Sequence, residues 1–245
     1  MEAKLGRLIS KIVNITSLSK PQIDEMHNLF CKYFDNASAD KFERDLKEKE
    51  WVILLTDKKS GRIQGFSTQM VVDVIVDGLP VKIVFSGDTI IDKEYWGEPT
   101  LAKAWLNFFY SLANNSGNKI KLYWFLITMG YKTYRFLPVY FKQFYPCVDK
   151  ETPLFEKRVI DTIALSKFPN EYNQATGVIK NLSGREILRA GVADINPVKF
   201  SNPHVRYFVN NNPEYMKGDE LACLALIDKE NLKSLAFKVM GSKTN

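Results

Sequence analysis

Apolar residues recur along this chain at two spacings, and the changes from one to the other mark its elements. Residues 11–16 (KIVNIT) read as a first strand. Ser19, Lys20, Pro21 and Gln22 make a capping box with proline near the first helical position. Ile23, Met26, Phe30 and Phe34 then fall at helical spacing and predict an amphipathic helix over 21–34. Phe42 and Leu46 mark a second helix over 39–49. The run WVILLT at 51–56 reads as a buried strand, 57–61 as a turn and 63–76 as a long β-run. Asp77-Gly78 is a hairpin signal, answered by a strand over 81–91 (VKIVFSGDTII), so 51–91 is expected to form an antiparallel meander. Leu101, Trp105, Phe108, Phe109 and Leu112 lie on one stripe of a helix over 99–113, which NNSGN at 114–118 should stop. KLYWFLIT at 121–128 has the composition of a strand buried on both faces. A strand, a helix and a returning strand make 81–91 and 121–128 parallel neighbours, with the helix crossing over between them.

The remainder is less regular. After Gly130 comes a basic, aromatic segment, 131–146 (YKTYRFLPVYFKQFYP), which Pro138 should divide into a turn and a short helix. Helices are expected from 152 to 167, from a capping box at Ser183 to Glu186, from Asn202-Pro203 to the break at 210–213, and over 229–240, with a strand at 221–227. The fold class is therefore α/β: a mixed sheet flanked by helices over 1–149, with an α/β extension over 150–245. The seam falls near 149–152, and the two parts read as a core with a packed extension or as one continuous domain.

Composition narrows the class. With 45% apolar and 25% charged residues in 245, the chain has material for a substantial core. The net charge of +6 suits an anionic or phosphorylated partner, although a lysine-rich surface gives the same number. Cys31, Cys147 and Cys223 are scattered and odd in number, which points to a reducing, cytoplasmic setting. No apolar run is long enough for a membrane span, and Arg7 and Lys11 interrupt any signal-peptide core. His27 and His204 have no companion at ligand spacing, so no metal is expected. Phosphate-loop, dinucleotide-binding and nucleophile-elbow motifs are absent.

Asp88 is the sharpest chemical candidate. It stands in an apolar strand beside Gly87, where a half-buried carboxylate acquires a raised pKa and can serve as a general base. The competing role is structural, at a bulge made by Gly87. The loop after that strand, with Gly97, leads into a helix whose first N–H groups, from Thr100 on, can meet an anion. Lys132, Arg135 and Lys142 add positive charge in the segment that follows, and Arg135 is the cation expected beside that anion.

The order strand, two helices, three strands, helix, strand, helix over the first 60% or so of the chain resembles the GNAT superfamily of N-acetyltransferases. The hairpin around GRIQGF and the strand–loop–helix from Ile90 to Leu106 carry the likeness. It implies acyl transfer from acyl-CoA, or from acyl-phosphopantetheine on an acyl carrier protein, to a small-molecule amine. It also implies a pantetheine arm held by backbone near Ile90 and Ile91, with Asp88 as base. A tyrosine after the last core strand would be the acid that protonates the thiolate, and Tyr140 is preferred over Tyr131 and Tyr134. Tyr123, Tyr215 and Asp219 are expected to line the substrate pocket. The family's loop pattern, Arg/Gln-x-x-Gly-x-Gly/Ala, is only partly kept: Gly97 matches, whereas Pro99 and Leu101 stand where further glycines would fall. Pro99 has no N–H to donate, and Glu98 would set a negative charge against a pyrophosphate. A carrier-tethered donor would need fewer such contacts. Two rival readings stand beside this one: a non-catalytic ligand-binding or regulatory protein on the same fold, and a nucleic-acid binder using the aromatic segment 131–146.

Overall fold

In the computed structural model, residues 6–115, 120–182 and 184–241 are described. Strand β1 (Leu8–Asn14) leads to α1 (Lys20–Tyr33), where Gln22 Oε1 accepts from Ser19 N at 2.9 Å as the capping box requires. A short β2 (Phe34–Asp35) and α2 (Ala39–Lys47) follow. Strands β3 (Trp51–Asp57), β4 (Ile63–Val76) and β5 (Leu79–Ile91) form the expected antiparallel meander. Asp77 and Gly78 both adopt positive φ, 52° and 76°, as a two-residue hairpin turn of the favoured twist demands. Helix α3 (Thr100–Asn115) then carries the chain to β6 (Lys121–Thr128), which pairs with β5 in parallel from Val81↔Lys121 to Ser86↔Leu126. The helix stop expected at 114–118 falls largely outside the described residues.

The second half supplies α4 (Tyr131–Tyr134), α5 (Phe136–Tyr140), α6 (Leu154–Lys167), β7 (Tyr172–Asn173), β8 (Val178–Ile179), β9 (Ile187–Leu188), α7 (Pro197–Phe200), α8 (Pro203–Asn211), β10 (Glu220–Leu226) and α9 (Ser234–Met240). Three of its strands extend the same sheet, whose order is β1-β3-β4-β5-β6-β10-β8-β7. Strand β9 instead pairs with β2, tying the extension to the link between α1 and α2.

Both faces of the sheet are covered, which is why its central strands read as continuous apolar runs. Leu122, Trp124 and Leu126 face α3, α4, α5, α8 and α9, while Tyr123 and Phe125 face Val159, Ile160 and Ile163 of α6. On that second face α1 and α2 pack Met26, Phe30, Phe42 and Leu46 against Val52, Leu54, Phe66 and Ile90. A gap remains there between the α1–α2 pair and α6.

Three expectations need correction. The division in the aromatic segment falls at Arg135, and Pro138 sits inside α5, within the first turn, where no N–H is required. No helix opens at 184–186. Gly184 takes φ 62°, a left-handed conformation that a helix cannot propagate, and the Asn181 side chain accepts from Arg185 N at 2.7 Å. Ser183, the first residue of that expected box, lies outside the described residues. The last helix is shorter than 229–240, because a 3-10 turn over Lys229–Asn231 precedes α9.

Candidate active site

Strands β5 and β6 part company after Ser86 and Leu126. β5 stays with β4 as far as Gly65↔Ile91, and β6 stays with β10 as far as Thr128↔Leu221. A bulge drives them apart: Gln69 pairs with Ser86 and Ser67 with Thr89, so Gly87 and Asp88 together oppose Thr68. A Cβ on Gly87 would lie 2.7 Å from Thr68 Oγ1 and 2.8 Å from Lys49 Cε, so any side chain there would displace one or both of these groups. Between the diverging strands runs a cavity of about 770 Å³. It is lined by Leu101, Trp105 and Tyr140 from one face of the sheet and by Asp45, Lys49 and Phe168 from the other, so it passes through the layer.

A buried polar chain fixes the base of the gap. Trp105 Nε1 donates to Ser67 Oγ at 3.2 Å, and Ser67 Oγ also meets Thr89 Oγ1 at 2.8 Å. Gln69 Nε2 donates to Ser67 Oγ at 2.8 Å, Ser86 Oγ donates to Gln69 Oε1 at 2.6 Å, and Trp124 Nε1 donates to Ser86 Oγ at 2.9 Å. The chain ties α3 and β6 to β4 and β5 just where the sheet opens. Ser67 and Gln69, two apart in an apolar strand, were the sequence signal that could have shown it.

Toward α3, the cavity is bounded by Trp96, Gly97, Glu98 and Pro99 and by Lys132 and Arg135. Gly97 holds φ 91°, and nothing lies within 4 Å of its Cβ position. Glu98 is not aimed at this mouth as an open charge. Its carboxylate accepts from Leu8 N at 3.1 Å and pairs with Arg7 Nε at 3.3 Å, which corrects the expected clash with a pyrophosphate. The Lys132 ammonium sits 3.0 Å from the Trp96 ring centroid, and burial, then the neighbouring Lys199 charge, push its pKa down to about 8. Ile90, Ile91 and Tyr140 all line the cavity; Thr100 opens α3 but leaves the wall to Leu101 and Ala102. Tyr140 is half-buried at the end of α5, and burial raises its pKa.

Asp88 faces the other compartment. Among the described residues its carboxylate accepts no hydrogen bond. Burial lifts its pKa to about 6, an effect that Lys49 opposes and Asp45 reinforces. Glu220, at the start of β10, lines the same cavity and is pushed up to about 7 by burial, against Arg185 and with help from the Asp88 charge. Arg185 Nη1 lies 3.5 Å from Glu220 Oε2. The sequence reading missed both Arg185 and Glu220.

Three expected pocket residues lie elsewhere. Tyr123 is buried against α6 and donates to Glu156 Oε1 at 2.9 Å. Tyr215 packs on Phe208 beside a separate groove with Ile195 and Phe200. Asp219 accepts from Lys180 Nζ at 2.6 Å and Asn181 N at 2.9 Å, and so anchors the 180–181 loop. In the aromatic segment, Tyr131, Tyr134, Phe141, Phe144 and Tyr145 are core residues, which removes the exposed rings a nucleic-acid platform needs. Among the described residues no group of three or more side chains is placed to hold a metal, and no helix is long and apolar enough to cross a membrane.

The parallel β5–β6 pair with its α3 crossover is the strand–helix–strand arrangement expected from the sequence, and the bulge at Gly87 is the feature that accompanied the structural role for Asp88. The fold is α/β, a mixed eight-stranded sheet with helices on both faces. No protein-family model matches the chain, and no curated protein does. Solved structures similar to it include a probable N-acyltransferase from Enterococcus faecalis, 18% identical over 55% of this chain and 33% of that one, with TM-score 0.39. Another is a GNAT N-acetyltransferase from Escherichia coli in complex with CoA, 17% identical over 54% of this chain and 68% of the other, with TM-score 0.36. A third is glucosamine-6-phosphate N-acetyltransferase from Arabidopsis thaliana, 17% identical over 46% and 80% of the two chains, with TM-score 0.34. The match to the first of these spans about a third of that protein's length.

Proposed function

We propose that the protein transfers an acyl group from a thioester donor to an amine. The observation that carries this reading is the opening of the sheet after Ser86 and Leu126, with Asp88 and Tyr140 lining one continuous cavity. Past that point β5 has no strand partner on its β6 side, so alternate backbone groups near Ile90 and Ile91 face the gap, where the Ile91 oxygen already accepts from Trp96 Nε1 at 2.8 Å. The amides of a pantetheine arm can pair with such an edge. Phosphate groups of the donor would lie toward Gly97, Lys132, Arg135 and the start of α3. With Glu98 engaged by Arg7 and Leu8, coenzyme A meets no bare carboxylate there, although Pro99 still offers no donor.

In the reaction the neutral amine attacks the thioester carbonyl carbon. Asp88 takes a proton from the attacking nitrogen as the C–N bond forms. The C–S bond then breaks, and the Tyr140 hydroxyl gives its proton to the departing sulfur. A carboxylate with a pKa near 6 is mostly charged at neutral pH and is still basic enough for this task. The test is amine-dependent thiol release from acetyl-CoA, acetyl-pantetheine and an acyl carrier protein thioester, run against a panel of amines. Release from coenzyme A or from the carrier alone identifies the donor. No amine-dependent release from any of the three would overturn the proposal in favour of a non-catalytic ligand-binding protein.

A further inference from the structure

On the acyl-transfer reading, we infer that the acceptor is an amino acid, its amine held by Asp88 and Glu220 and its carboxylate held by Arg185 and Lys49. All four residues line the cavity on the side away from α3. The two carboxylates come from strands on opposite sides of the gap, Asp88 from the β5 bulge and Glu220 from β10. An acceptor that arrives as an ammonium ion must lose two protons to become an amide. One carboxylate can take the first and the other the second, while Tyr140 supplies the separate proton that the sulfur needs.

The cations are what select a carboxylate on the same molecule. Arg185 is set in place by its backbone, whose N–H donates to Asn181 Oδ1 at 2.7 Å, and its guanidinium lies over the Phe168 ring at 5.6 Å. Its hydrogen bonding is incomplete. Nη2 reaches Lys180 O at 3.3 Å, Nη1 reaches Glu220 only at 3.5 Å, and Nε is buried with no acceptor. A planar guanidinium whose two Nη contacts are this long can still present its fork to a planar, two-oxygen carboxylate. Lys49 lies across Gly87, and its ammonium donates to the Asp45 backbone oxygen at 3.1 Å and forms no ion pair among the described residues. By contrast, Lys41 is already paired with Glu186. A diamine would bring a second positive charge to the ground held by Arg185 and Lys49, and a simple alkylamine would leave Lys49 with no anionic partner and Arg185 with only its long contact to Glu220.

Calorimetry on the intact protein, without donor, tests this with each common L-amino acid, the corresponding amino acid amides and 1,4-diaminobutane as probes. The expected result is that at least one amino acid binds, and at least tenfold more tightly than its amide or the diamine. Arg185→Gln should weaken that amino acid at least tenfold and its amide by clearly less, and Arg185→Lys, which keeps the charge but not the fork, should recover part of the loss. Should Arg185→Gln fail to fold, the comparison of acid with amide on the unaltered protein still decides. Equal binding of acid and amide, tighter binding of the diamine, or no binding by any amino acid would overturn the inference. Arg185-dependent amino acid binding with no thiol release from any thioester would sustain the assigned ligand and remove the acyl-transfer reading instead.

Discussion

Replacing Asp88 by asparagine should make the protein more stable above pH 6 and nearly inactive. The carboxyl pKa is lifted from 3.8 to about 6, and burial is the main cause. The folded protein therefore holds this proton more tightly than the unfolded chain does. That contribution is fully present below about pH 3.8 and is lost as pH rises through about 6. Above pH 6 the fold carries a charged group that the unfolded chain would solvate better. At 1.36 kcal/mol per pKa unit, the difference is at most about 3 kcal/mol at pH 8 and about half that at pH 5. Because Asp88 accepts no hydrogen bond among the described residues, asparagine sacrifices none. For a chain of this size, melting temperature should rise by roughly 6–12 °C at pH 8 and by about half as much at pH 5. Turnover should fall by about 10²–10⁴-fold, the usual worth of a general base. Scanning calorimetry at the two pH values with a thiol-release assay reads both effects. A lower melting temperature at pH 8, or the same shift at both pH values, would refute the reasoning and give Asp88 a structural role.

Three further outcomes are expected. Tyr140→Phe should lower kcat by about 10²-fold or more with little change in melting temperature, since its hydroxyl is assigned only to the leaving sulfur; an unchanged kcat removes the acid assignment. In wild type, kcat/KM should climb with pH between about 5 and 8 as Asp88, near 6, and Glu220, near 7, lose their protons, and a flat profile would exclude both as proton acceptors. Trp124→Phe deletes the indole donor to Ser86 Oγ and should cost about 1–3 kcal/mol in urea unfolding, whereas a silent substitution would mean the polar chain at the opening does not hold it.

Local rules made the sheet legible from residue 51 to residue 128. Its hairpin carries Asp77-Gly78, its crossover helix shows one apolar stripe, and its central strand is apolar on both faces. Asp88 stood out for the same reason, as a charge beside glycine in an apolar run. The capping-box pattern at Ser183–Glu186 failed because Gly184 breaks the helix that the pattern announces, and a side chain, Asn181, takes the N–H of Arg185. Glu98 was misjudged because its partners, Arg7 and the N–H of Leu8, come from the far end of the chain, and no local pattern shows a salt bridge across the sheet.

The choice between Asp219 and Glu220 marks where sequence pattern runs out. Asp219 directly precedes β10 and Glu220 opens it, and of the two acids only Glu220 lines the cavity. In a half-exposed strand the alternation of apolar and polar residues would say which. Here β10 continues as Leu221, Ala222, Cys223, Leu224 and Ala225, all buried, because helices cover both faces. A strand that is apolar on both sides carries no record of which side is which, and the register that sends Glu220 inward is set by β6 and β8 on either side of it. Arg185 is subject to the same logic. Its place opposite Glu220 depends on a loop that Asp219 anchors, so the acid turned away from the cavity positions the cation that faces into it.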